Sequence, residues 1–230
     1  MPNEVIFLGM MLVVLSATLG AFRLGKHWLF GLIAVNIVLA NIFVTKQFQI
    51  FGMVATGGNI TYGSIFLATD MLCEHYGPHE GRRAVLLGFA AALFYLITSQ
   101  FMLLLAPAAS DLADPGMRII FAFAPRIILA SMTAYLISQF HDVWFYHLIR
   151  SKTGSRKLWL RNNASTWVSQ LFDSVVFTGV AFGGVFSGSV LLQIVVTTYL
   201  LKVLVAAVDT PFIYLSNHFK PPELRRTVQD

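Results

Sequence analysis

Long apolar runs, broken by short polar or basic turns, constrain this chain more than any other feature it has. A hydrocarbon core about 30 Å thick is crossed by roughly 20 mainly apolar helical residues. Every backbone polar group inside it must also find a partner within the protein. The runs predict seven spans: Glu4 to Phe22, Trp28 to Thr45, Thr61 to Gly77, Ala84 to Ala106, Arg118 to Leu148, Asn163 to Phe182 and Val190 to Phe219. The fifth and the last are longer than needed, and tilt or a cytoplasmic extension absorbs the excess. Asp114-Pro115-Gly116 breaks the chain before the fifth, and Gly183, Gly184, Ser187, Gly188 and Ser189 form a turn before the last. With 57% hydrophobic residues among 230 and a mean hydropathy of +0.71, the expected fold is an all-α integral membrane protein whose single membrane domain uses the whole chain.

Charge placement gives an independent check on the span count, because basic residues collect in cytoplasmic loops. Arg23 and Lys26 follow the first span, Arg82 and Arg83 the third, Arg150, Lys152, Arg156, Lys157 and Arg161 the fifth, and Lys220, Arg225 and Arg226 the seventh. This alternation predicts an outside N-terminus and a cytoplasmic C-terminus. It also accounts for the net charge of +5, so nucleic-acid binding is not expected. Glu4 stands where a signal peptide would carry a basic n-region, so the first run reads as a span. Cys73 is the only cysteine; it permits no intrachain disulfide and no cysteine-based zinc site, and is expected to pack as a small apolar residue.

Small residues one turn apart, Ala84, Gly88 and Ala92 on the fourth span and Gly179 and Gly183 on the sixth, favour close helix approach. Trp28, Trp144 and Trp159 at span ends read mainly as interfacial anchors. The ionisable residues inside the spans are more telling, since each costs roughly 2.5–3.5 kcal/mol at the bilayer centre. Counted from span ends, Asp70 lies about 14 Å deep, Asp173 about 17 Å and Lys202 about 18 Å. Arg126 lies in the outer third of its span, and Glu74, Asp142 and Asp209 nearer the cytoplasmic ends. Asp70 and Glu74 share a helix face, as do Gln170 with Asp173 and Lys202 with Asp209. A buried ion pair between Lys202 and an aspartate would explain one such pair. The whole set, with Asn36, Asn41, Thr69 and Tyr62 at comparable depths, fits a polar cavity at mid-membrane, where transporters hold substrate.

These residues resemble the queuosine precursor transporters, a vitamin uptake transporter group related in fold to the substrate-binding subunits of energy-coupling-factor transporters. The resemblance runs from Asn36 to Leu215. It is carried by ANIFVTK (Ala40 to Lys46), ITYGSIFLATDMLCEHYG (Ile60 to Gly77), RIILASMTAYLISQFHD (Arg126 to Asp142), LWLRNNASTWVSQLFD (Leu158 to Asp173) and YLLKVLVAAVDTPFIY (Tyr199 to Tyr214). It implies a six-helix transporter core over residues 28–219, to which the span at 4–22 is an addition of packing or assembly character. It also implies a multi-pass protein of the cell inner membrane that takes up 7-cyano-7-deazaguanine, 7-aminomethyl-7-deazaguanine or a queuine-like base.

Such a base presents a ring N–H beside an exocyclic amine, a donor pair that a carboxylate meets with two charge-assisted hydrogen bonds. Asp70, Glu74 and Asp173 are the candidates. Asn41, Gln170 or Lys202 would donate to its carbonyl oxygen, Tyr62, Phe66 or Trp144 would stack on the ring, and Arg126 joins them as a further binding candidate. The alternative reading is a non-transporting membrane subunit, or the substrate-binding component of a larger energy-coupled complex. The sequence lacks a Walker-type P-loop, an H-E-x-x-H pair and a G-x-S-x-G elbow, so no catalytic residues, metal or cofactor are expected. His75 and His79 beside Glu74, and His141 beside Asp142, are expected to be packed or solvated. The preferred base, the energy source, the oligomeric state and any coupling partner stay open at this level.

Overall fold

The computed structural model describes residues 2–153 and 158–226; Arg156 and Lys157 lie outside the described residues, as do the side chains of Asp142, Arg150, Lys152, Trp159, Arg161, Arg225 and Arg226. In chain order the elements are α1 (Asn3–Leu24), α2 (Lys26–Phe43), β1 (Gln47–Ile50), β2 (Met53–Thr56), α3 (Gly58–Tyr76), α4 (Pro78–Leu104), α5 (Asp114–Ala122), α6 (Ala124–Thr153), α7 (Leu158–Phe182), α8 (Gly188–Ser216) and α9 (Pro222–Arg226). Among the described residues five helical stretches are long and apolar enough to cross a membrane: α1, α2, most of α4, the run Asp114–Ser138, and α8. A shorter apolar stretch covers Trp167–Phe182. The protein is thus an all-α integral membrane protein. α3 is missing from the apolar set because Thr61, Tyr62, Ser64, Thr69, Asp70, Glu74 and His75 dilute it.

Two departures from the expected elements have local causes. The fifth span is broken after Ala122, where Pro125, with no N–H to give and a fixed φ, sits in the first turn of the new helix α6. Between α2 and α3 the chain forms a hairpin in the register Gln47↔Thr56 to Ile50↔Met53. Its two-residue turn places Phe51 at φ 50° and Gly52 at φ 74°, as a twisted hairpin demands. The strain at Phe51 is offset by Glu4, whose carboxylate accepts the Phe51 N–H at 2.8 Å, while Asn3 donates to the Gln49 carbonyl at 2.7 Å.

The chain divides into two compact units, one of Met1–Ala124 with Leu201–Asp230 and one of Pro125–Leu200. In the first, the buried stripe Phe7, Met11, Leu15, Thr18 and Phe22 of α1 packs into a core with Leu29, Ile33, Leu67, Met71, Leu72 and Val205. The Thr18 hydroxyl pairs with that of Ser64 at 2.7 Å. The first span is therefore bound into this unit through its length. Ala84 and Gly88 of α4 are buried, and a Cβ at Gly88 would touch Ile37 of α2, the close approach that the small residues predict. A Cβ at Gly63 would lie 2.5 Å from the Val205 Cγ1, so α3 and the end of α8 are in backbone-to-side-chain contact.

At the end bearing Arg23, Lys26, Arg82 and Arg83, the short α9 ties the helices together. The Glu223 carboxylate accepts the Tyr76 hydroxyl and the Lys26 backbone N–H (3.1 Å), and Lys26 reaches Glu80 at 3.4 Å, which Arg83 also meets at 3.2 Å. The Tyr76 hydroxyl holds the Glu223 carboxyl below its ordinary 4.5, opposed by burial and reinforced by the Lys26 N–H. A carboxyl depressed in the folded state stabilises fully above its unfolded value and loses that contribution as pH falls through the folded one. Glu223→Gln is therefore expected to lower the melting temperature in detergent at neutral pH, and the gap from the wild type should close as pH drops below about 4.5. A gap independent of pH would refute this account.

Candidate functional site

α3 carries the residues from which a site can be built. Gly63, Ser64, Leu67, Ala68, Met71 and Leu72 are buried. The opposite stripe is uncovered: Tyr62 is half-buried, and Phe66, Asp70, Cys73 and Glu74 are exposed. Tyr62 and Phe66 stand one turn apart with ring centroids 6.3 Å apart, and Asp70 follows one turn further along the helix. Cys73, expected to be packed, is instead exposed on this stripe. Its burial was inferred from residue type, whereas position on the helix decides it; even so, a Cβ at Gly81 would meet its Sγ, so one side of the thiol is covered.

The adjoining part of α8 runs parallel to α3, because Val205 lies against Gly63 and the Ser216 hydroxyl meets His75 Nε2 at 2.7 Å. This register sets Asp209 opposite Leu67 and Ala68, within electrostatic reach of Asp70. Pro211, two residues on, has no N–H for the Ala207 carbonyl, so the helix ladder is interrupted beside Asp209. Asp209 was absent from the sequence-based candidate set, and its i, i+7 spacing from Lys202 was the available signal.

The same register lifts Lys202 to the level of Ile60 and Thr61, about ten residues or 15 Å above Asp70. Counting from span ends had given these two similar depths near the midplane; the stagger between the parallel helices separates them. Asn41 sits in the upper tier too, since Ala40 and Val44 of the same turn abut Gly58. Its Nδ2 donates to the Ile37 carbonyl at 2.8 Å. His75 is half-buried, hydrogen-bonded to Ser216 and packed in a tilted arrangement with its ring centroid 4.7 Å from that of Phe22.

The second unit holds the remaining candidates. Arg126 Nε donates to the Val180 carbonyl at 2.7 Å and its Nη2 to that of Gly183. A guanidinium there satisfies the end carbonyls of α7 and meets the negative pole of its dipole, so Arg126 works first as a clamp between α6 and α7. Gln170 is half-buried, with Oε1 enclosed and lacking a donor among the described residues. Asp173 is half-buried and engaged, Trp144 is exposed on α6, and Phe172 stacks on His141 with centroids 4.1 Å apart.

Carboxylates are costly in lipid, so a stripe of a spanning segment that carries Asp70 and Glu74 calls for a polar partner. The comparisons with known proteins agree with a carrier. Residues 56–216 match the family described as "Putative vitamin uptake transporter". A Bacillus subtilis (strain 168) protein named "Probable queuosine precursor transporter" is 45% identical over 202 residues, covering 87% of this chain and 88% of that protein. The Escherichia coli (strain K12) "Queuosine precursor transporter" is 30% identical over 186 residues, 79% of this chain and 80% of its own length. A Haemophilus influenzae protein, also named "Probable queuosine precursor transporter", is 26% identical over 158 residues, 64% of this chain and 65% of its own. No solved structure matches the chain. The chain belongs to the vitamin uptake transporter family, the group that includes the queuosine precursor transporters.

Proposed function

We propose that the protein imports a 7-deazaguanine precursor of queuosine, the 7-cyano or 7-aminomethyl base or a queuine-like relative, across the cytoplasmic membrane, with its N-terminus outside and its C-terminus in the cytoplasm. The names of the 45% and 30% identical relatives support the substrate class. The observation that carries the reading is the α3 stripe, an aromatic pair one turn from an open carboxyl. Tyr62 and Phe66 offer ring faces to a fused heterocycle. Asp70, which forms no ion pair among the described residues, offers two acceptors to the adjacent ring N–H and exocyclic amine. Asp209 and Glu74 lend this end of the stripe a negative character that favours donor-rich or cationic solutes.

Uptake is tested in cells unable to make the deazaguanine ring. They are supplied with labelled precursor, with and without this protein, and queuosine is measured in their tRNA. Protein-dependent labelling is the expected result. Labelling that is equal with and without the protein, at verified membrane expression, would refute transport and favour a subunit that only docks a partner.

A further inference from the structure

We infer that Asn41 recognises a hydrogen-bond donor on the substrate through its side-chain oxygen, at an outer station separate from that of Asp70; the inference rests on the uptake reading above. Asn41 is 8% exposed. Its amide orientation is fixed by its own helix, because the Ile37 carbonyl accepts only and must face Nδ2. Turning the amide over would set two acceptors against each other. Oδ1 is left enclosed with no donor among the described residues. An enclosed acceptor without a donor is costly to retain, and such groups in folded proteins call for an explanation.

Asn36 makes the contrast. It is the other buried asparagine of α2, at 4% exposed, and its Nδ2 serves both the Leu32 carbonyl (2.9 Å) and the Ser64 hydroxyl (3.3 Å), which continues to Thr18. That side chain belongs to the packing of α1, α2 and α3. Asn41 has no such network around its oxygen. At its level α8 brings Lys202, itself engaged with a partner, so the acceptor left over in this tier is that of Asn41. The tier lies about ten helical residues, or 15 Å, from Asp70, further than one fused two-ring base reaches. Asn41 and Asp70 therefore meet the base at successive positions along α3. The sequence alone suggested that Asn41 donates to the carbonyl; the bond to Ile37 reverses its role to acceptor.

The test is binding of a ligand panel to the purified full-length chain: a 7-deazaguanine, analogues each lacking one N–H donor, and one lacking the carbonyl oxygen. Asn41→Leu should weaken the parent base about tenfold. It should leave unchanged the affinity for the one analogue that lacks the donor Asn41 meets, the coupling expected of two groups in contact. Asn41→Asp, which keeps an acceptor, should bind the parent base more tightly than Asn41→Leu. Equal weakening of every ligand, no weakening at all, or coupling to the carbonyl analogue would overturn the inference. Failure of the wild-type chain to bind any deazaguanine would overturn the uptake reading, and this inference with it.

Discussion

Replacing Asp70 with Asn is expected to cut uptake of a labelled 7-deazaguanine at least tenfold without lowering the amount of folded protein in the membrane. The carboxylate offers two acceptors to the paired donors of the base. Asn keeps the shape but turns one acceptor into a donor, which faces a donor on the ligand. A hydrogen bond to a charged group contributes about 1.5–3 kcal/mol, which corresponds to roughly tenfold or more in affinity. The protein itself should tolerate the change. Asp70 is uncovered on α3, and the like-charged Asp209 and Glu74 lie near it, so removing one charge relieves repulsion. Melting in detergent no lower than that of the wild type, with uptake lost, is the combined outcome that separates a binding role from a structural one. Normal uptake by correctly inserted Asp70→Asn would remove the residue from the site.

The largest effect on stability is expected at Gly63. A Cβ there would come within 2.5 Å of Val205 Cγ1, closer than carbon atoms approach. Valine is stiff about χ1 and cannot swing aside cheaply, so α3 and α8 would have to part. Overpacking of this kind costs typically 1–3 kcal/mol, and Gly63→Ala should lower the detergent melting temperature accordingly. Val205→Ala deletes the offending carbon and should recover part of the loss in the double variant, a favourable coupling that additive effects would not give. Because the same contact sets the register that brings Asp209 to Asp70, uptake should fall with stability and recover with it. Wild-type stability of Gly63→Ala, or simple additivity with Val205→Ala, would show that α8 does not pack on α3 in this register.

Much of the helical framework was legible in the chain. The apolar runs anticipate α1, α2, α4, α7 and α8 to within a few residues at most ends, and the small residues Ala84 and Gly88 mark a real close approach. Pro125 carried the signal for the break between α5 and α6, although the long apolar run around it masked that signal. The hairpin was illegible for a physical reason. Phe51-Gly52 is not a turn pair that sequence rules favour, and the carboxylate that accepts the Phe51 N–H comes from Glu4, 47 residues away. The site shows the same division. That Asp70 and Glu74 share a face follows from helical spacing, and so does the placing of Tyr62 one turn before Phe66. That this stripe is the uncovered one does not, because any stripe can be outermost until neighbours are placed.

The sequence by itself determined that the chain lives in a membrane, where its helices run, how its charged loops alternate and which family it resembles. Each of those depends on residues close together in the chain, through apolar length, helical period and local charge. Only the tertiary structure decided that Lys202 stands a tier above Asp70, that Asp209 stands near Asp70, that Arg126 is committed to the end of α7 and that the Asn41 oxygen is enclosed with no donor among the described residues. Those outcomes depend on the axial stagger between distant helices, set by contacts such as Val205 against Gly63 and Ser216 against His75. A helix fixes which of its residues face the same way, but not what stands opposite them.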